Sequence, residues 1–288
     1  QYYNRGHSDL SDAEYDALFV RLRQLEQAHP ELVTEDSPTR RVGAPLPKGS
    51  SFPTVPHLEP MGSLESLMDA EAVQEFAARA KKLLALPDGE GLLWACEPKL
   101  DGVSANLLYE HGVLVRGLSR GDGSQGEDLT RNLTTIRNLP LRFAGPGPFP
   151  ARIEIRGEVI MSKQGFALLQ EREETSSEGQ FRNARNTTAG TLKLQDPRMV
   201  KRRPLDFFAF AVGHLDGIAF ATHTDLRAQL AAWGFAIAEP FARVQDTTGV
   251  LAFRDELERR RDELPYELDC IVPKIDRTHW LQHLGRNS

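Results

Sequence analysis

Apolar residues follow two rhythms along the chain, and the switches between them divide it into elements. Tyr15, Leu18, Phe19, Leu22 and Leu25 recur at helical spacing. Ser11 and Glu14 fit a capping box before that run, and His29-Pro30 ends it, so an amphipathic helix is predicted that needs a partner surface. Residues 36–56 are rich in Pro, Gly, Ser and Arg and are predicted to form a long connector. A second helix is predicted over 69–86, with Asp69 in capping position and Val73, Phe76, Ala77, Ala80 and Leu83 along one side. The rhythm then shortens. Strands are expected over 92–96 and 103–109, and the turn at Glu110-His111-Gly112 returns the chain into 113–118 as a hairpin.

The polar loop 119–128 holds three glycines whose backbone can approach a ligand closely. A short helix is predicted over 130–136. Residues 153–161 alternate at period two, but Glu154, Arg156 and Glu158 make one face charged. A helix is expected from Ser162, carrying Phe166 and Leu169. Residues 180–190 read as irregular and locally basic, 206–212 as an apolar strand, and 224–233 and 251–264 as helices. A final strand spans 268–275, and no terminal element is expected over 281–288. Short strands joined by hairpins or long excursions argue against a doubly wound sheet. They predict an α+β fold with antiparallel sheets and a cleft between them.

Composition narrows the function classes. With 40% hydrophobic and 26% charged residues the chain has the balance of a globular protein. A formal net charge of −6 argues against coating nucleic acid by bulk charge, although it leaves room for a local basic groove. Cys96 and Cys270 are too few for a disulfide framework or a four-cysteine zinc site, which points to a reducing, cytosolic setting. No long apolar run suggests a membrane span. The chain opens at Gln1 without a signal-peptide pattern, and a fragment trimmed at that end is expected.

The chemistry concentrates at Glu97-Pro98-Lys99-Leu100-Asp101-Gly102, a turn expected between two buried strands. A lysine in this layout suits covalent nucleotide transfer, with the amine attacking an α-phosphorus. By itself a K-x-D-G is equally compatible with a solvated turn. Free lysine titrates near ~10.4, so a reactive amine needs desolvation or nearby positive charge. Lys274 and bound Mg²⁺ are candidates to supply that charge. Asp101 and Glu158 work the other way, and their expected tasks are orienting Lys99, holding a ribose hydroxyl or contacting the metal. Arg120 and Lys274 are the expected phosphate contacts. The structural alternative for Arg156 and Glu158 is a cross-strand ion pair. No phosphate-loop motif is present, because the glycine cluster at 121–126 lacks its lysine.

In combination these stretches resemble the N-terminal and adenylation parts of bacterial NAD-dependent DNA ligases. The resemblance rests on Ser11 to Asp16, Asp36-Ser37-Pro38-Thr39, Ser63-Leu64, Glu97 to Gly102, Ser119 to Gly123, Arg156-Gly157-Glu158-Val159, Phe181 to Gly190 and Asp269 to Lys274. It implies a nucleotidyltransferase fold of the DNA-ligase, ATP-grasp-like type, with a small helical Ia domain over 1–52 and an adenylation domain over 53–288. It further implies an enzyme that forms enzyme-AMP at Lys99 from NAD, releases nicotinamide mononucleotide, uses Mg²⁺ or Mn²⁺, and later seals nicks in double-stranded DNA during replication and repair.

By position, the resemblance gives Glu97 to the adenine side and places Arg120 and Glu158 around ribose and phosphate. Asp101 joins Lys99, Arg120, Glu158 and Lys274 in the catalytic set. Ser63, Leu64 and Leu100 lie next to the nucleotide, Phe210 over the adenine, and Lys274 at the α-phosphate. Arg185 and Lys193 match basic positions for the later steps on DNA. Tyr2, Tyr3, Asp12, Tyr15 and Asp16 are expected to bind the nicotinamide half, where an aromatic ring can stack and carboxylates can meet ribose hydroxyls or the cationic ring. No resident protein-only metal site is expected. A cytoplasmic bacterial monomer is expected.

Departures from the family pattern are Tyr3 in place of His, Ser104 for Ala, Asn183-Ala184-Arg185 for Asn-Pro-Arg, and Cys270 and Pro273 for Gly and Ile. The chain is also expected to stop before the lysine-bearing strand that completes the nucleotide site, and before the barrel, zinc, helix-hairpin-helix and terminal modules. The competing expectations are an ATP-dependent ligase or capping relative, and a catalytically silent nucleotide- or DNA-binding module.

Overall fold

A computed structural model describes residues 12–29, 52–62, 70–87, 90–173 and 183–284, with backbone alone at 12–16, 19 and 282. The first predicted helix is present as α1 (Asp12–Ala28). Leu18 and Leu25 of its apolar stripe are exposed. Strand β1 (Thr54–Pro56) leads to α2 (Ala70–Leu83), which buries Val73, Ala77 and Ala80 as expected. Leu83 departs from that expectation and lies exposed at the helix end.

Three sheets follow. The largest has five strands in the order β4-β3-β6-β7-β8, formed by β3 (Val103–Glu110), β4 (Val113–Ser119), β6 (Arg152–Met161), β7 (Leu205–Leu215) and β8 (Ala236–Ile237). All its pairings are antiparallel except β7 with β8. The β3–β4 hairpin turns through His111 and Gly112, both at positive φ (48° and 76°). That two-residue geometry matches the twist of the flanking strands, and glycine adopts it without a Cβ penalty.

The second sheet has the order β10-β2-β9, from β2 (Trp94–Leu100), β9 (Ala242–Val244) and β10 (Leu268–Ile275). β1 pairs with β5 (Gln125–Glu127) as a small third sheet. The remaining elements are α3 (Thr130–Leu133), α4 (Lys163–Glu173), α5 (Ala184–Leu192), α6 (Pro197–Lys201), α7 (His223–Ala232), α8 (Thr247–Arg259) and α9 (Thr278–Leu284), with a 3-10 turn at Arg261–Glu263.

Two cores define the layers. Ile153, Ile155, Val159 and Met161 of β6 pack with Leu107, Tyr109, Leu133, Phe207, Leu230 and Trp233 beneath the five-stranded sheet. Trp94, Cys96 and Leu100 of β2 pack with α2 and α8 in the other. Ile160 and Phe208, from the opposite face of the large sheet, join this second core and tie the sheets together. The antiparallel α+β expectation therefore holds.

Several local expectations are corrected. β2 runs through Lys99 to Leu100, so the motif is the end of a strand, with only Asp101-Gly102 as the turn. Pro98 is tolerated there because β9 pairs only with Trp94–Cys96, which leaves Pro98 with a strand on one side. Most of the irregular stretch at 180–190 is instead helix α5, begun by Asn183, whose side chain accepts from the Asn186 amide. Residues near 281 belong to α9, so the described chain does have a late element.

Gly102 opens β3 against the end of β6. A Cβ there would lie 2.3 Å from the Val159 carbonyl oxygen and 2.9 Å from Glu158 Cγ. Gly102→Ala is expected to destabilise the fold by about 1–3 kcal/mol through this overpacking, read as a lowered midpoint in denaturant unfolding.

Candidate active site

Alternation along β2 builds the cleft. Trp94, Cys96 and Leu100 point into the core, while Glu97 and Lys99 lie on the other face toward the large sheet. The side chain of Leu100, expected next to the nucleotide, is core, 9% exposed.

β10 supplies partners to both cleft residues. Its register with β2 slips between Leu268 and Cys270, in the manner of a bulge, and Asp269 is the extra residue. Such a slip re-aims a side chain, and here Asp269 forms a short ion pair with Lys99. Burial alone lowers the Lys99 pKa, but the hydrogen bond and charge of Asp269 outweigh it and hold the ammonium above its usual range. The protein groups around Lys99 therefore raise it, and the expected lowering is not theirs to supply. Asp269 was not among the expected functional residues, although the 269–274 stretch contained it.

Around this end of β2 stand Asp101, which pairs with Arg185 at 3.0 Å, and Glu158 on β6. Ser104 Oγ donates to Glu158 at 2.8 Å, so the hydroxyl that replaces Ala in the family pattern is satisfied. Burial pushes the Glu158 carboxyl up to about 7, against the lowering effects of Ser104, Arg185 and Lys99. Arg156 and Glu158 both lie on β6, two residues apart, so a cross-strand pair cannot join them to each other. Arg156 lies 3.9 Å from Glu154 and donates to the Glu59 carbonyl at 2.8 Å. Arg185, expected for later steps, thus reaches the Lys99 end of the cleft, whereas Lys193 pairs with Glu127 at 2.9 Å.

Lys274 belongs to the opposite end. It is four residues from Cys270, the ladder partner of Lys99, or ~13 Å along an extended strand. Its Nζ forms a short ion pair with Glu97, donates to the Phe210 carbonyl at 2.8 Å and lies 5.6 Å from the Phe210 ring. On this geometry Lys274 stands with Glu97 and Phe210 rather than with Lys99. Burial favours a neutral Glu97, but Lys274 and then His223 pull its carboxyl down to about 2. His223 and Arg227, both on α7, are site residues that the sequence reading missed; no local motif marks them.

Arg120 follows β4 and donates to the Gly62 carbonyl at 3.3 Å. Its own carbonyl accepts from His57 Nε2, while Asn106 donates to His57 Nδ1. Arg120 Nε is buried with no hydrogen-bond partner among the described residues. Gly62 directly precedes Ser63-Leu64. Tyr2, Tyr3, Ser63 and Leu64 lie outside the described residues, as do the side chains of Asp12, Tyr15 and Asp16.

A lysine-bearing strand faces carboxylates of both sheets, an arrangement that suits covalent nucleotide transfer. The family described as "NAD-dependent DNA ligase adenylation domain" matches residues 49–288, and that described as "DNA ligase-like, N-terminal NAD+-binding domain" matches residues 1–43. The chain belongs to the NAD-dependent DNA ligase adenylation domain family.

A DNA ligase from Geobacter metallireducens is 44% identical over 288 residues, covering 100% of this chain and 42% of that protein. One from Trichlorobacter lovleyi is 43% identical over 100% of this chain and 41% of its own length. One from Cellvibrio japonicus is 44% identical over 99% of this chain and 41% of its own length. The chain spans about two fifths of the length of these relatives.

Two outcomes test the electrostatics. Asp269→Asn removes the partner that raises Lys99, so labelling of Lys99 by an amine-specific reagent near pH 9 is expected to rise severalfold, measured by peptide mass spectrometry. Glu158 titrates higher folded than unfolded, so the stability that its protonation confers is complete below its ordinary 4.5 and is lost as pH rises through about 7. Glu158→Gln is expected to melt above the native chain at pH 8 and level with it near pH 4.

Proposed function

We propose that the chain performs the adenylation step of an NAD-dependent DNA ligase. The observation that carries this reading is the placement of Lys99 on the cleft face of β2, among Asp101, Glu158, Arg185 and Asp269, within a family match that covers 49–288.

In this reading Lys99 Nζ attacks the adenylyl phosphorus of NAD. A P–N bond forms, the P–O bond to the second phosphate breaks, and nicotinamide mononucleotide leaves. The amine must first lose a proton, and Asp269 is the carboxylate already in contact with it. Glu97 and Phe210 take the adenine, and Lys274 joins them there. Arg120, whose buried Nε awaits an acceptor, meets phosphate or ribose oxygens. Asp101 holds Arg185 near the reacting centre, and Glu158 is placed for a ribose hydroxyl or a metal-bound water.

Among the described residues no group of three or more His, Cys, Asp or Glu side chains is arranged for a metal ion. Mg²⁺ (or Mn²⁺) would be held mainly by substrate phosphates with one protein carboxylate, for which Glu158 is the candidate. When bound, the ion would neutralise phosphate charge and favour the unprotonated amine.

Residues 1–52 form the Ia unit and 53–288 the adenylation unit in this proposal, supported by the match of 1–43 to an NAD⁺-binding family. Tyr2, Tyr3, Asp12, Tyr15 and Asp16 are assigned to nicotinamide mononucleotide, and Ser63 and Leu64 to the nucleotide side. Transfer of AMP to a nick in double-stranded DNA, in replication and repair, belongs to the longer protein, with Arg185 and Lys193 on the DNA side. A cytoplasmic monomer is proposed, and no helix among the described residues is long and apolar enough to cross a membrane.

Incubation with NAD is expected to add the mass of one adenylyl group at Lys99; ATP is expected to add none, and Lys99→Ala abolishes the gain. Modification from ATP but not NAD, as read by intact-protein mass spectrometry, would overturn the donor assignment.

A further inference from the structure

The ionic cluster at Glu97 continues onto α7. Glu97 is 3% exposed, and its two oxygens are served from different directions. Oε1 meets Lys274 of β10 on the cleft side. Oε2 lies 3.3 Å from Arg227 Nη1 and 3.5 Å from His223 Nε2, both on α7. Arg227 is itself buried and fixed by several partners. It donates to the Ala238 carbonyl and to Glu239 at 2.7 Å, and its guanidinium lies 4.6 Å from the Phe241 ring centroid.

We propose that Arg227 is a positioning residue that makes this site select a 6-aminopurine over a 6-oxopurine, by holding Glu97 as an acceptor-only anion from α7. The inference rests on the reading of NAD as donor.

The groups facing Glu97 account for the need. Lys274 is shared with the Phe210 carbonyl and sits at the cleft, so a bound purine draws on its hydrogen bonds. His223 lies 3.3 Å from Lys274 Nζ, and burial and then the Lys274 charge push its ring toward the neutral form. The neighbouring Cys96 thiol is pushed up to about 12 by burial and by Glu97 itself, so it remains neutral. Arg227 is then the cation that stays on Glu97 when Lys274 turns to ligand, and a buried carboxylate without a counter-charge protonates. Glu239 balances Arg227 from its exposed side.

The protonation state of Glu97 sets the recognition. A carboxylate accepts from a 6-amino group and repels a 6-oxo oxygen, whereas a carboxylic acid can donate to that oxygen. Lys274, a donor only, likewise suits the acceptor N1 of a 6-aminopurine and opposes the N1–H of a 6-oxopurine.

The test is calorimetric binding of NAD and of nicotinamide hypoxanthine dinucleotide to the whole chain, wild type and variants, across pH. The wild type is expected to prefer NAD at every pH from 6 to 9. Arg227→Gln and Arg227→Met are expected to cut that preference at least tenfold at pH 6, because Glu97, buried with Lys274 turned to the ligand and Arg227 gone, protonates there. The preference is expected to recover as rising pH reionises the carboxyl. Arg227→Lys keeps the preference.

A merely structural role would weaken both ligands together and leave their ratio and its pH profile unchanged, which would overturn the inference. Arg227→Gln retains an amide donor for the Ala238 carbonyl, so it decides the question if Arg227→Met does not fold. Wild type binding both dinucleotides equally would overturn the inference while leaving the NAD reading intact. Wild type binding neither would overturn that reading and the inference with it.

Discussion

The ladder between β2 and β10 is the constraint on which the site depends. Its period of two separates a core face of Trp94, Cys96 and Leu100 from a cleft face of Glu97 and Lys99. A slip of one residue would bury both charges in the second core, so that core fixes the position of the site. The same ladder sets Lys274 and Asp269 at opposite ends of one strand, and the irregularity at Asp269 turns a carboxylate onto Lys99.

Charge in the resting cleft is held in close pairs: Lys99 with Asp269, Arg185 with Asp101, Lys274 with Glu97, and Arg227 with both Glu97 and Glu239. Each cation is therefore oriented before a ligand arrives, which lowers the reorganisation needed at the reacting centre. It also favours the protonated form of Lys99, because the Asp269 pair dominates the burial that opposes it. Arg120 differs from these, with one buried nitrogen left without a partner among the described residues.

Most elements were legible in the sequence because their signals are local. Strand β10 matches its predicted span, and β3, β6 and α7 shift only at their ends. Helix α5 was missed because its polar, asparagine- and threonine-rich sequence shows no apolar stripe. It buries Ala184, Thr187, Thr188, Thr191 and Leu192 only through the contacts of the fold. That the Leu100 side chain faces the core was not legible, because motif membership does not say which face of a strand a residue occupies.

The sequence by itself determined the α+β class, the strand carrying Lys99, the roll of acidic and basic residues near it and the family resemblance, since periodicity and motif spacing are properties of short stretches. Only the tertiary structure decided which of those charges meet. Lys99 and Asp269 are 170 residues apart, Glu97 and Lys274 are 177, and Glu97 and Arg227 are 130. Such pairings follow from strand order, register and one local slip in the ladder, none of which is written in the residues flanking either partner.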